Sequence, residues 1–215
     1  MSVKSLASVL AVAASLLAPG VASAVSGTYT VGGNTTGTGP WTLTATDSTF
    51  SVLRFIFDTP VKFADLESLS SSYDAIAGGI GGGAPRFLVV VDNDPTPVVN
   101  LTSFAVNWGP AGSFVDNTLG VGNTGNLLGL TDTGRYDLSA MGGSGYTDRS
   151  AALALAGGMD VHRVSLVLDT FGGVDRTFVI DGISVSVVPE PNALILAFAS
   201  LGILAATRYR RCEPR

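Results

Sequence analysis

The sequence predicts an all-β fold, an antiparallel β-sandwich flanked by an N-terminal signal peptide and a C-terminal transmembrane helix. Three observations predict it. Short β-type runs recur between Gly, Asn and Asp turns. Within several of them apolar and polar residues alternate with period two. Long apolar segments of helical character stand only at the two chain ends. Turns at this density separating short strands are the pattern of a sandwich.

The 215 residues include 27 glycines, one Cys and one His, with 17 acids against 12 bases and a net charge of −5. One Cys excludes a disulfide framework and a Cys-rich zinc site. One His excludes a His-cluster metal site. The acidic balance argues against a nucleic-acid partner. Mean hydropathy is +0.42, high for a soluble domain, and the two ends account for much of it.

Residues 1–24 read as a secretory signal peptide: Lys4, then an apolar stretch from Leu6 to Ala18, then a Pro19-Gly20 break. Ala22 and Ala24 supply the small −3 and −1 residues, so signal peptidase is expected to cut after Ala24. Residues 25–187 form the exported domain, large enough for one real core.

Within it, 41–45 (Trp-Thr-Leu-Thr-Ala) alternates cleanly. The run 50–57 is apolar on both faces. Gly78 to Gly83 reads as a flexible loop entering a strand, because a phosphate loop requires Lys and a following helix. Residues 87–91 form a continuous apolar strand ending in Asp92-Asn93-Asp94-Pro95. Residues 98–108 form a longer strand, bent near Thr102-Ser103. The single helix expected is 149–156, capped by Asp148 and ended by Gly157-Gly158. Strands 161–168 and 177–187 close the domain. In the last, Val179, Ile183, Val185 and Val187 are expected on one face, with Ser184 and Ser186 on the other.

Residues 188–215 form the tail. Pro189-Glu190-Pro191 precedes residues 193–207, fifteen positions without charge, and Arg208, Arg210 and Arg211 follow. Such a helix spans roughly 22 Å against a hydrocarbon core of roughly 30 Å. Arginine snorkelling and local thinning of the bilayer make spanning feasible. Basic residues after the helix place the C-terminus in the cytoplasm.

The Pro-Glu-Pro, helix and Arg cluster resemble the PEP-CTERM sorting signal, here extended by Cys212-Glu213-Pro214-Arg215. The resemblance covers about 28 of the 215 residues. It implies an exported protein of a Gram-negative bacterium that makes exopolysaccharide. It further implies an inner-membrane intermediate, recognition by an exosortase, and release to the outer surface or extracellular matrix. The same tail occurs on some ice-binding proteins. A fainter resemblance lies in the middle. Residues 65–91, 124–128 and 134–137 look like patterns in secreted β-sandwich modules of unassigned function. Residues 179–185 (Val-Ile-Asp-Gly-Ile-Ser-Val) are similar to the closing strand of carbohydrate-binding jelly rolls, which makes the sandwich jelly-roll-like.

The exported domain holds 15 acids and 7 bases, a net −8. That charge disfavours an anionic polysaccharide as a purely electrostatic partner. No catalytic set emerges. His162 is the sole base of its kind, no Gly-x-Ser-x-Gly elbow occurs, and Glu67 is the only Glu in the domain. No cofactor is expected, with calcium at Asp92, Asn93 and Asp94 as the one metal candidate, since three hard oxygen ligands share a turn. The run lacks the Gly and Glu of an EF-hand loop. Sugar rings pack on aromatic faces. Trp41 and Trp108 read as core, whereas Tyr136 and Tyr146 sit in Gly-rich loops expected to be exposed. Arg135, Tyr136 and Asp137 are therefore the candidate glycan site, a ring face flanked by polar groups. The competing reading has Tyr136 plugging the end of the sandwich and Arg135 pairing with Asp137 or Asp132.

The expected function is that of a non-enzymatic exported envelope or matrix protein whose sandwich binds glycan or self-associates. The alternatives are an extracellular polysaccharide hydrolase and an ice- or surface-binding module. For the last, Thr42, Thr44 and Thr46 supply one short row of hydroxyls.

Overall fold

A computed structural model describes residues 23–81, 83–92, 101–110, 114–130, 134–170 and 173–188. Residues 24–187 form one compact unit. The signal peptide up to Ala22 lies outside the described residues, as do the tail residues Pro189, Glu190, Pro191, Arg208, Arg210 and Arg211. Among the described residues no helix is long and apolar enough to cross a membrane.

The fold is all-β with antiparallel pairing throughout. In chain order the strands are β1 (Ser23–Ala24), β2 (Gly27–Gly33), β3 (Thr35–Thr36), β4 (Trp41–Ala45), β5 (Phe50–Lys62), β6 (Leu66–Ala77) and β7 (Ile80–Gly81). They continue with β8 (Arg86–Asp92), β9 (Leu101–Asn107), β10 (Val115–Asp116), β11 (Gly120–Asn123), β12 (Tyr136–Asp137), β13 (Asp160–Asp169) and β14 (Arg176–Val187). One sheet has the order β11-β6-β14-β4-β3, and the other β12-β9-β8-β13-β5-β2. The long strands β4, β5, β6 and β8 fall alternately in the first and second sheet, as do β11, β13 and β14.

The two sheets bury one shared core. Alternation builds it: Trp41, Leu43 and Ala45 point inward from β4, while Thr42 and Thr44 point out. Leu53, Phe55 and Phe57 face them from β5, and Phe87, Val89 and Val91 from β8. Aromatic rings lock the sheets together. Tyr29 of the second sheet stacks at 4.6 Å on Trp41 of the first. Trp108, just after β9, lies 5.1 Å from Tyr73 and 6.0 Å from Phe178. Both tryptophans are thus core, as their strand positions predict.

The structure corrects one face assignment. On β14, Phe178 and Ile180 point inward together with Ile183 and Val185, so Val179 faces out, away from Ile183. The pairing with β6 slips between Ile180 and Gly182, a β-bulge that adds a residue and inverts the parity beyond it. The bulge is bridged from the other sheet. The Tyr29 hydroxyl accepts from Ile183 N–H at 2.9 Å and donates to the Ile183 carbonyl at 2.8 Å. A side chain at Gly182 would come within 3.1 Å of that hydroxyl, which explains the glycine.

Other expectations hold with adjusted bounds. The helix α1 is Arg149–Ala156, and the Asp148 carboxylate accepts from Ala151 N–H at 3.0 Å. β5 runs on to Lys62, because its far end continues to pair with Asp160 and Val161 past an irregularity in which residues 57–60 of β5 stand against His162 alone. β9 passes through Thr102 and Ser103 with unbroken pairing to β8. The glycine run is pinned: Ile80 and Gly81 pair with β10, and Arg176 Nη1 donates to the Gly81 and Ala84 carbonyls.

Candidate functional site

The outward side chains of β5, β8, β9 and β13 form one surface. Ser165 of β13 faces Arg54 on one side and Leu88 on the other. Val167 faces Val52 and Arg86, and Arg163 faces Ile56 and Val90. These side chains floor an open groove of about 650 Å³. It adjoins a second hollow of about 230 Å³, and Arg86, Leu88 and Ser103 line both. Each end carries an exposed ring. Phe50 is 52 % exposed beside Thr49, and Tyr146 is 50 % exposed beside Asp137.

Position in the strand fixes the polar groups. Arg86 is held at both ends of its guanidinium: Nη1 donates to the Gly83 carbonyl at 3.0 Å and Nη2 meets Asp169 at 2.7 Å. Arg54 lies over the edge strand β2 at Gly32, where a Cβ would sit 2.8 Å from its Nη1. Arg54 and Arg163 have neither a hydrogen bond nor an ion pair among the described residues, and the Arg163 Nε is buried without an acceptor. The two are diagonal neighbours on adjacent strands, a relation that places backbones about 7–8 Å apart and long side chains within reach.

The predicted glycan residues divide. Tyr136 is buried, at 1 % exposure, with its ring 6.5 Å from Phe104. Arg135 is buried too, and its Nη1 donates to the Asn107 and Trp108 carbonyls. The expected exposure of Tyr136 is therefore corrected. β12 pairs with β9, and that pairing turns the ring into the core. Asp137 does reach the surface, in the smaller hollow, where its Oδ1 accepts from Ser139 N–H at 3.0 Å. Tyr146 is exposed as expected, held at a φ of +51°.

The calcium candidate is described only in part. Asn93 and Asp94 lie outside the described residues. Asp92 ends β8 opposite Asp160, with its carboxylate 3.8 Å from His162 Nε2. Among the described residues no three His, Cys, Asp or Glu side chains stand close enough to hold a metal ion.

Sequence reasoning gave no weight to Phe50, Arg54 or Arg163. A signal existed: in a domain with 7 bases, two arginines interrupt strongly apolar strands at outward parity. Outward parity in a central strand means the charge is displayed on a sheet face.

No protein-family model, curated protein or solved structure matches the chain.

Proposed function

We propose that the chain is a non-enzymatic exported protein that binds glycan in the groove of its second sheet. The groove itself carries this reading. It adjoins a second hollow, an exposed aromatic ring lines each, and the hydrogen-bonding groups of both are positioned by strand register. Sugar rings offer apolar faces to aromatic rings and hydroxyls to fixed donors and acceptors, so this arrangement suits them.

The strand order supports the same reading. The sheet β4-β14-β6-β11 facing β5-β13-β8-β9 has the connectivity of a jelly roll, an architecture shared by lectin domains. Fold alone assigns no ligand. For export, the proposal rests on sequence. A signal peptide cut after Ala24, a membrane helix at 193–207 and a PEP-CTERM-like tail take the protein through an inner-membrane intermediate. From there it reaches the outer surface or matrix of a Gram-negative cell, with signal peptidase and exosortase as processing partners.

The test is a glycan array probed with the full chain, followed by titration of the hits against Tyr146→Ala and Phe50→Ala. Both rings are exposed, so each variant is expected to keep its melting temperature and lose affinity. Absence of binding across neutral and charged glycans overturns the proposal.

One observation favours a second reading, an ice- or surface-binding module. On the outer face of the first sheet, Thr36 pairs with Thr42, Thr44 with Thr177, Ser70 with Ser184 and Ser68 with Ser186. That is a wider hydroxyl field than the Thr row in the sequence. Inhibition of ice recrystallisation by the full chain, lost in Thr42→Lys, would select it.

A further inference from the structure

We propose that the groove selects an anionic glycan, with Arg54 and Arg163 receiving carboxylates of uronate type. The proposal rests on the glycan-binding reading and names its ligand class.

The distribution of positive charge carries it. The domain has 7 bases. Three of them are used on backbone carbonyls. Arg135 donates to Asn107 and Trp108, Arg149 to Leu128 and Leu66, and Arg176 to Gly81 and Ala84. Lys62 is ion-paired with Asp160 at 2.8 Å, away from the groove. The remaining three, Arg54, Arg86 and Arg163, all line the one groove. A domain of net charge −8 thus gathers three of its four partly exposed arginines on a single face.

Only one of the three is neutralised there. Asp169 pairs with Arg86. Arg54 and Arg163 stand as diagonal neighbours on adjacent strands, each without an ion pair among the described residues. The setting is partly dry. Val52, Val90, Val167 and Ser165 are buried around them, and the Arg163 Nε is sealed from water without an acceptor. An anion placed between the two guanidinium groups supplies acceptors to both. A guanidinium is a planar fork of donors that matches a carboxylate in bidentate geometry. Repeated carboxylates along a polysaccharide match arginines spread across two strands, while the rings of Phe50 and Tyr146 hold the sugar faces at either end. A lone free anion would use neither ring.

The sheet is also suited to a polymer rather than a small ligand. The two hollows adjoin, with Arg86, Leu88 and Ser103 lining both, and each is open to solvent. Polar donors and acceptors, namely Ser103, Asn107, Asp137 and Asp169, occur along the run.

The experiment uses the full chain in a neutral detergent and titrates it with four probes: oligogalacturonate, a neutral galactan of equal length, dextran sulfate, and vesicles containing anionic phospholipid. Oligogalacturonate is expected to bind at least tenfold tighter than the galactan. Arg54→Gln and Arg163→Gln are each expected to weaken it at least tenfold with melting temperature retained, while Arg54→Lys retains part of the affinity. Lys62→Gln, outside the groove, is expected to leave it unchanged. If Arg163→Gln fails to fold, Arg54→Gln alone decides. Equal binding of galactan and oligogalacturonate, or full binding by the Gln variants, overturns the anionic selection and leaves glycan binding standing. Dextran sulfate bound in place of oligogalacturonate overturns the carboxylate assignment. Binding to the vesicles alone overturns it in favour of a membrane face. No binding to any polymer overturns the glycan reading with it.

Discussion

Replacing Tyr29 by Phe removes one oxygen atom at the point where the two sheets are bridged. The hydroxyl both accepts from and donates to Ile183, at 2.9 and 2.8 Å, and so satisfies both backbone groups of the residue just past the β14 bulge. β4 pairs with β14 only as far as Ile180, so Ile183 has no β4 partner on that side. The ring itself is kept in the variant, with its packing on Trp41 at 4.6 Å and Phe55 at 5.1 Å. The loss is therefore that of hydrogen bonding alone. A buried donor or acceptor left unpaired costs about 1–3 kcal/mol. Tyr29 is only partly buried, so water reaches the site and the lower part of that range, about 1–2 kcal/mol, is expected. For a domain of this size, each kcal/mol lowers Tm by about 2–4 °C, giving a fall of about 2–8 °C. The pH dependence gives a second handle. Burial pushes the Tyr29 phenol above its ordinary value, with the Ile183 hydrogen bond opposing the shift. A raised folded-state pKa means the contribution is complete below the unfolded pKa, about 10. It is lost as pH rises through the folded value. The gap between parent and Tyr29→Phe should thus be full at neutral pH and close in alkali. Thermal melts followed by near-ultraviolet circular dichroism from neutral to alkaline pH measure both effects. A variant within about 0.5 kcal/mol of the parent at neutral pH, where surface changes usually fall, refutes the bridging role.

Tyr136→Ala empties a fully buried aromatic site and should cost about 3–5 kcal/mol in a denaturant titration, in keeping with a plug rather than a displayed ring. Asp148→Ala should lower Tm and fray the helix by circular dichroism. The Ala151 N–H and then Ser150 hold the Asp148 carboxyl below its ordinary value, so this contribution is present above the unfolded pKa and disappears as pH falls through the folded one. Replacing Pro189, Glu190 and Pro191 by Ala should leave full-length protein in the inner membrane on fractionation and immunoblotting, where the parent is released.

Legibility in the sequence followed local signals. The strand at 41–45 and the helix at 149–156 have the bounds expected, because strict alternation marks one and an Asp cap with trailing glycines marks the other. β2 and β6 escaped notice for the opposite reason. Gly27–Gly33 contains three glycines, and Leu66–Ala77 is rich in serine, residues with little strand propensity of their own. Tertiary pairing makes them strands, β2 along β5 and β6 between β14 and β11. The misassigned face of Val179 has a different origin. Parity counts residues, and the bulge before Gly182 adds one that only the β6 register reveals. For Tyr136 the exposure suggested by its Gly-rich flanks fails and the reading of it as a plug holds, since two residues of pairing with β9 suffice to turn it inward.

The proposed anionic ligand and the net charge of the domain meet at one point, since a sum erases position. A net −8 argues against an anionic partner only if the charges act together at a distance. In physiological salt the screening length is about 8 Å, comparable to the separation of neighbouring outward residues across two strands. A ligand lying in the groove therefore senses Arg54, Arg86 and Arg163 strongly and the acids of distant turns weakly. Those acids still act on approach, where they slow the encounter of a polyanion. They do not cancel two uncompensated guanidinium groups at contact, where the surrounding valines thin the water that would otherwise screen them. What separates the two regimes is the strand register of 54 and 163, which puts both arginines on the same face of one sheet.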